Sequence, residues 1–504
     1  MTALPDGPDR DDSLPPPGAG DYPGYLTVFP SIMLPIFLAV IDQTIVATAL
    51  PAIAAATGEV ERVSWIVVGY LIAATIAAPI YGRLGDAFGR RRLMFFALGV
   101  FILASLLCAM APTIELLTAA RVLQGFGGGG LMTLSQALIG EALPPRERAR
   151  FQGYFAAVAV TANASGPVAG GYLTQHFGWE SIFLVNIPIG LVAVALTFRL
   201  PARKPHHPHE WRSDPYGLLL FTVTVASILL ALERAQHVDL DALPLAGLLF
   251  LGGLIALALL IRQENRAVSP LIPLGLLRMP AIWRSDAMAV CHGAALVALI
   301  TFLPVFLQVV RGTSPSETGL LLMPLTVGVG IGSMATGRLV SRTGLTTIFP
   351  TVGFAVTTVN LIVLALWAAT LNSVAFAVLL FWHGLFVGTV MAVVQVTVQS
   401  AGGQARLGEA SASVSFSRSI GAAFGTALVA FALFAVLSLQ DPQAAQSFAR
   451  IVEQAGHAGA ALAEGQAAVM RGNIIIAFRA AFLVIAGFTA LGCLISLFHP
   501  MRRL

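Results

Sequence analysis

Gly82-Arg83-Leu84-Gly85-Asp86-Ala87-Phe88-Gly89-Arg90 follows an apolar run, and a second run far along the chain is followed by Gly337-Arg338-Leu339-Val340-Ser341-Arg342-Thr343-Gly344. Gly-Arg-Leu opens both stretches, and a glycine returns at the same spacing in each. Both stand after the second apolar segment of a group of six, so the chain reads as two related helical bundles. Duplicated bundles in a membrane are the architecture of secondary transporters, whose substrate site lies between the halves near the bilayer midplane.

The composition agrees with burial in lipid. The chain has 504 residues, 57% hydrophobic and 11% charged, with a mean hydropathy of +0.83. A soluble protein carries about 25% charged residues, so an ordinary soluble enzyme is excluded. Apolar runs near 26–50, 63–81, 93–112, 115–141, 151–174 and 181–198 form a first group of six. Two more near 215–233 and 243–261 follow, then six near 285–309, 317–337, 347–369, 374–399, 412–438 and 474–498. At about 20 residues per span, this predicts an all-α polytopic membrane protein with about 14 transmembrane helices: two six-helix bundles and an inserted two-helix hairpin.

The domain reading follows. Residues 1–24, rich in Pro, Gly and Asp, are expected to be a disordered cytoplasmic tail rather than a signal peptide. Residues 25–200 are the N-terminal bundle, 201–284 the linkers and hairpin, and 285–504 the C-terminal bundle with an outer loop at 439–473. Basic residues are retained on the cytoplasmic side during insertion. With both termini there, cytoplasmic segments hold 21 of the 29 basic residues, so the charge bias supports the span count and the orientation together. The net charge of +4 reflects this topology, and no nucleic-acid surface is indicated. Cys108, Cys291 and Cys493 all fall in apolar runs and imply no disulfide framework.

At this point the motifs resemble the major facilitator superfamily, specifically its 14-spanning drug:proton antiporter family. The first span ends Ile41-Asp42-Gln43-Thr44-Ile45-Val46-Ala47-Thr48-Ala49-Leu50-Pro51, similar to that family's first-helix signature, with Ala47 where the family usually has Asn. The 82–92 segment resembles the superfamily's loop between spans 2 and 3. Arg121-Val122-Leu123-Gln124-Gly125 is similar to its Arg-x-x-Gln-Gly signature, and Gly166-Pro167-Val168-Ala169-Gly170-Gly171 to the signature associated with exporters. Trp179 to Gly190, including Asn186-Ile187-Pro188, and Arg418-Ser419-Ile420-Gly421 look typical of the 14-span branch. The resemblance implies the major facilitator fold in a bacterial cytoplasmic membrane and proton-coupled export of amphipathic compounds, multidrug efflux foremost.

The residues carry a physical reading of their own. Asp42 lies roughly 12 Å and Arg121 roughly 9 Å from the outer end of their spans, at 1.5 Å per residue. An ionised group there costs about 2.5–3.5 kcal/mol, so each must find a partner or water in the bundle interior. Asp42 and Arg121 are therefore the expected proton-coupling pair, with a static ion pair as the rival reading. Gly82, Asp86, Gly89 and Arg90 are expected to form a cytoplasmic gate loop; simple charge anchoring accounts for the arginines but not for Asp86. Gly166, Pro167, Gly170 and Gly171 are expected to form a small-residue face and a kink suited to an outer gate, or ordinary helix packing.

For the substrate pocket, Trp65, Tyr70, Gln124, Gln136, Asn163, His292, Phe302, Phe306, Gln308, His383, Gln395, Gln399 and Arg418 are candidates, each an even choice between lining and packing. One acid, Asp42, stands against Arg121 and Arg418 inside the spans, which does not favour dications. Gly125, Gly127 and Gly130 fit GxGxxG but lie in a membrane helix with no preceding strand. The only lysine, Lys204, precedes Pro205, so no Walker loop exists and ATP-driven transport within this chain is excluded. His206, His207, His209 and Glu210 read as a solvated linker, and no metal or other cofactor is expected. The expected partners are protons, small amphipathic substrates and the lipid bilayer, with a periplasmic adaptor left open. An exporter of a lipid, siderophore or other metabolite is the nearest alternative; a membrane sensor or scaffold and a membrane-embedded enzyme follow.

Overall fold

In lipid each backbone amide and carbonyl must be satisfied within its own segment, so apolar runs fold as helices. The computed structural model describes residues 25–59, 62–200, 214–236, 243–267, 274–440 and 464–504. Its first group comprises α1 (Tyr25–Thr57), α2 (Trp65–Phe88), α3 (Arg90–Ala109), α4 (Ile114–Ala142), α5 (Pro145–Phe177), and a rod broken into α6 (Ser181–Leu184) and α7 (Asn186–Thr197). A hairpin of α8 (Pro215–Gln236) and α9 (Leu243–Glu264) and a single turn, α10 (Leu274–Leu277), come next. The second group is α11 (Pro280–Arg311), α12 (Pro315–Thr343), α13 (Ile348–Trp367), α14 (Ser373–Gly402), α15 (Leu407–Gln440) and α16 (Glu464–Leu497).

Local sequence sets the ends. Ser314 and Glu317 close a capping box at the start of α12, Asn372 caps α14 and Thr113 caps α4. Gly312 and Gly344, both left-handed, end α11 and α12. The C-terminal residues fold back on the α12–α13 turn, where Leu345 bridges Arg503 and Thr346 donates to the Met501 carbonyl.

Among the described residues, eleven helices are long and apolar enough to cross a membrane: α1 to α3, α8, α9 and α11 to α16. The other expected spans fall on α4, rich in glycine and carrying Glu115, Arg121 and Glu141, on α5, whose first turns hold Arg146, Arg148 and Arg150, and on the shorter α6–α7 rod. Several helices outrun the apolar stretch that announced them, mainly at the arginine-rich end. α2 continues to Phe88, α5 starts at Pro145, α11 at Pro280 and α15 at Leu407. A span's apolar limit marks the membrane boundary, whereas the helix persists past it wherever charged residues find partners.

The 82–92 segment is accordingly not a loop. Residues 82–88 are the last turns of α2, and the connection to α3 is Gly89 alone, at φ 97°. At the other end, α16 takes in the last residues of the predicted 439–473 loop. Residues 441–463, the 1–24 tail and the 206–210 cluster lie outside the described residues.

α1 and α3 pack with both α4 and α7, and α2 with α4; α11 packs with α14, α15 and α16, and α12 with α14. The two groups meet through α5 on α12, α2 on α15, α5 on α14 and α4 on α15, and α8 of the hairpin lies against α15 and α2. The first group is filled by Ile36, Tyr81, Phe101 and Leu131 with their neighbours, the second by Phe306, Leu380, Phe478 and Phe482 with theirs.

Candidate functional site

Asp42 is fully buried at the meeting of α1, α3, α4 and α7. One carboxylate oxygen, Oδ2, accepts from Arg121 Nη1 at 2.6 Å; the other, Oδ1, accepts from Gln124 Nε2 at 2.9 Å and Asn186 Nδ2 at 2.7 Å. Gln124 Nε2 is also 2.8 Å from Ser105 Oγ, and its Oε1 accepts from Arg121 Nη1 at 2.7 Å. The guanidinium further donates to the Ile66 carbonyl and lies 4.3 Å from the centre of the Tyr70 ring. Three donors on one carboxylate are the arrangement of an ionised acid, since a protonated oxygen would present a donor of its own.

The glycines of α4 set this geometry. A side chain at Gly127 would stand 2.9 Å from the Phe101 backbone, and one at Gly130 would stand 2.7 Å from the Tyr81 ring. Gly125 meets the backbone of Tyr70. The GxGxxG pattern is thus a packing surface that seats α2 and α3 and brings Tyr70 against Arg121.

One helical turn past Asp42, α1 rests on α5. Gly166 faces Thr44, and Gly170 faces Thr48 and the Ile45 carbonyl, the last at 2.5 Å from a would-be Cβ. Thr44 Oγ1 donates to the Ile41 carbonyl at 3.0 Å. The four-residue expectation divides here, because Gly171 has nothing within 4 Å and Pro167 is exposed.

At the arginine-rich end Asp86 crosses between the groups. Its Oδ1 accepts from the Gly408 amide at 2.9 Å and its Oδ2 from the Glu409 amide at 3.0 Å, so it caps the first turn of α15. Arg90 pairs with Asp86 and, at 2.6 Å, with Glu141, while Arg83 lies 3.7 Å from Glu409. A Cβ on Gly82 would come within 2.6 Å of the Gly408 carbonyl, so these helices cross backbone to backbone. The second copy crosses likewise, Gly337 against Ala149. Ser341 stands in the acid's place, and among the described residues no hydrogen bond joins it to α5.

Three pocket candidates come together in the second group. His292 on α11 and His383 on α14 are 4% and 1% exposed, and Arg418 on α15 and His383 lie within electrostatic reach of His292. Gln136 and Gln399 instead join the two groups, Gln399 Nε2 donating to the Gln136 carbonyl at 2.9 Å. Trp65 faces the hairpin, with Arg234 5.8 Å from its ring. Phe306 is a core residue, edge-on to Phe478 and Phe482, and Phe302 packs on the same core. Gln395 is buried with Nε2 unpartnered, Gln308 is half-buried, and Asn163 is exposed on α5.

The helix order and these crossings match a known architecture, and a sequence model described as Major Facilitator Superfamily matches residues 32–426. The chain belongs to the major facilitator superfamily. It is 32% identical over 412 residues to an uncharacterised MFS-type transporter of Mycobacterium tuberculosis, covering 79% of this chain and 58% of the relative's length. It is 31% identical over 403 residues to the multidrug transporter protein MdtP of Bacillus subtilis, covering 79% of this chain and 73% of that one. The methylenomycin A resistance protein of Streptomyces coelicolor is 31% identical over 344 residues, covering 68% and 72%. Among solved structures, the human organic anion transporter MFSD10 (TETRAN) superposes with a TM-score of 0.64 at 14% identity, covering 94% of this chain and 100% of that one. The proton:xylose symporter XylE gives 0.62 at 12%, covering 94% and 96%. The molecule is thus a multi-pass membrane protein of this superfamily that spans a little under three fifths of the length of the first relatives it matches, and its fold and family point away from a catalytic enzyme.

Within this superfamily member, the sequence reading missed Asn186 and Ser105 as neighbours of the Asp42 carboxylate. The available signal was a lone amide, Asn186, in the otherwise apolar run Ile182-Phe183-Leu184-Val185 to Ile187.

Proposed function

We propose that this protein is a proton-coupled exporter of amphipathic compounds, a multidrug efflux antiporter with 14 spans and both termini in the cytoplasm, working by alternating access. The observation that carries the reading is Asp42, an acid buried among three donors from α4 and α7 and one helical turn from the contact of α1 with α5. Relatives named as a multidrug transporter and a resistance protein support the direction and the substrate class.

The conformation supports a cycle. At the arginine-rich end, read as cytoplasmic, the groups are joined by Asp86 on α15, Gln399 on Gln136 and Gly153 on Met334. Beyond Thr161 the far half of α5 carries exposed Val168, Tyr172 and Phe177. This is the form open to the outside, with Asp42 ionised and ready to accept a proton. Protonation there replaces an acceptor by a donor, so at least one of Arg121, Gln124 and Asn186 must let go. The rearrangement of these donors reaches α5 through Thr44 and Gly166, which closes the outer side while the Asp86 cap on α15 opens. Inside, proton loss and substrate uptake favour the reverse change, and coupling is the differential affinity of the two states for each ligand.

The test is efflux of ethidium from proteoliposomes under an imposed pH gradient, wild type against Asp42→Asn. Loss of gradient-driven efflux in the variant, with substrate exchange retained, is expected. Unimpaired driven efflux removes Asp42 from the coupling role.

A further inference from the structure

Resting on the exporter reading above, we propose that Arg418 is the anchor of an anion-accepting subsite in the second helix group, and that the exported compounds include amphipathic monoanions bearing a sulfonate, carboxylate or phosphate. The two arginines inside the spans are treated differently by the fold. Arg121 has Asp42, Gln124 and the Ile66 carbonyl. Arg418 has no ion pair and no hydrogen bond among the described residues.

Arg418 is half-buried, and a guanidinium inside a span is costly unless a partner, water or ligand reaches it; the acid on the facing helix is not that partner. Asp286 on α11 accepts from Ser413 Oγ through Oδ1 at 3.2 Å, its Oδ2 has no hydrogen-bond partner, and it forms no ion pair with Arg418. It lies six positions before His292, roughly 9 Å along the helix.

The surroundings are built to receive a polar group. His292 and His383 are more than nine-tenths buried, and Nδ1 of each has no hydrogen-bond partner. A neutral imidazole nitrogen donates or accepts according to its tautomer, so the two rings can complete the coordination of an oxyanion held by the guanidinium fork. Gly293 allows α15 to approach α11 backbone to backbone at Arg418. Ala294, which follows, is packed against Gly425 of α15, so the two helices stay in backbone contact for two turns beside the arginine. The cation and the two unpartnered nitrogens come from three helices, α11, α14 and α15.

The probes are 1-pyrenesulfonate and a pyrenylmethyl-trimethylammonium salt, which share an aromatic body and carry opposite permanent charges. Binding is read by fluorescence anisotropy with the full chain in phosphatidylcholine nanodiscs. Wild type is expected to bind the sulfonate at least ten-fold tighter than the cation. Arg418→Gln should collapse that ratio to within two-fold, and Arg418→Lys should keep most of it. Equal binding of the probes by wild type, a preference for the cation, or a ratio that survives Arg418→Gln overturns the subsite. If Arg418→Gln does not fold, the wild-type ratio and Arg418→Lys still decide the matter. Competition by added phosphatidylglycerol at stoichiometric levels would assign the site to a lipid headgroup and overturn the substrate assignment. Asp42-dependent ethidium efflux without any anion preference removes the subsite and leaves the exporter reading standing.

Discussion

Asn186 donates to the Asp42 carboxylate at 2.7 Å, tying the first residue of α7 to the middle of α1. It shares Oδ1 with Gln124, so the carboxylate is aimed from two sides while Arg121 holds the opposite oxygen. A hydrogen bond to a charged group contributes about 1.5–3 kcal/mol, and loss of one donor leaves two. Asn186→Ala is therefore expected to slow gradient-driven efflux about ten-fold to a hundred-fold, with Asn186→Gln intermediate. Rates in proteoliposomes at fixed protein density check this, and wild-type efflux in Asn186→Ala would reduce Asn186 to a packing residue.

Asp42→Asn has a consequence for stability as well as for coupling. It leaves Arg121, 1% exposed, as a buried cation without its counter-charge. Breaking such a pair from one side costs about 3–5 kcal/mol, whereas removing both charges is often neutral. Asp42→Asn should lower the thermal midpoint by several degrees, and Asp42→Asn with Arg121→Gln should recover most of it without restoring driven efflux. A scan of the three proteins in one detergent measures the first part; no recovery in the double variant would mean that the Arg121 contacts to Ile66 and Tyr70 dominate.

The depth of Asp42 and Arg121 was legible because charge in an apolar run is rare and expensive, and so was the helical class, because no other structure satisfies a backbone in lipid. What the sequence could not supply was azimuth. Gly166, Gly170 and Gly171 look equivalent on paper, yet two of them face α1 and the third faces open space. Trp65 and Phe306 read as pocket aromatics, and the fold turns one toward Arg234 of the hairpin and the other into a core with Phe478. Asn186 was visible as a polar residue, but its partner sits 144 positions away and only the packing of α1 on α7 brings them together.

The Asp86 cap predicts a shift between conformations. Its two backbone hydrogen bonds to Gly408 and Glu409 exist only while α2 and α15 are joined. At about 1.5–3 kcal/mol for a bond to a charged group, Asp86→Ala should move the balance toward the inward-open form by roughly ten-fold to a hundred-fold or more. The readout is alkylation of a cysteine introduced by Val396→Cys, in a background lacking Cys108, Cys291 and Cys493. Val396 is fully buried in a cluster with Ala149 across the interface. The alkylation rate should rise in Asp86→Ala; an unchanged rate would mean that the other joints, the α5–α12 crossing and Gln399 on Gln136, keep this end shut without it.

The divided glycine motif of α5 gives the sharpest contrast, because neighbouring residues of one signature should respond in opposite ways to the same added methyl group. At Gly170 a Cβ would sit 2.5 Å from the Ile45 carbonyl, and backbone cannot yield as a side chain can. Separating α1 from α5 there would also displace Thr44, one helical turn from the proton site. Gly170→Ala should cut driven efflux by about ten-fold or more, and lower stability by the about 1–3 kcal/mol typical of overpacking. Gly171 meets nothing within 4 Å, so Gly171→Ala should leave both quantities within two-fold of wild type, helped slightly by alanine's better helix propensity. Efflux rates and thermal midpoints of the two single variants decide it. Equal losses at both positions would show that the second glycine is needed in a conformation where α5 closes on a neighbour, and would place the outer gate on the Gly171 face instead.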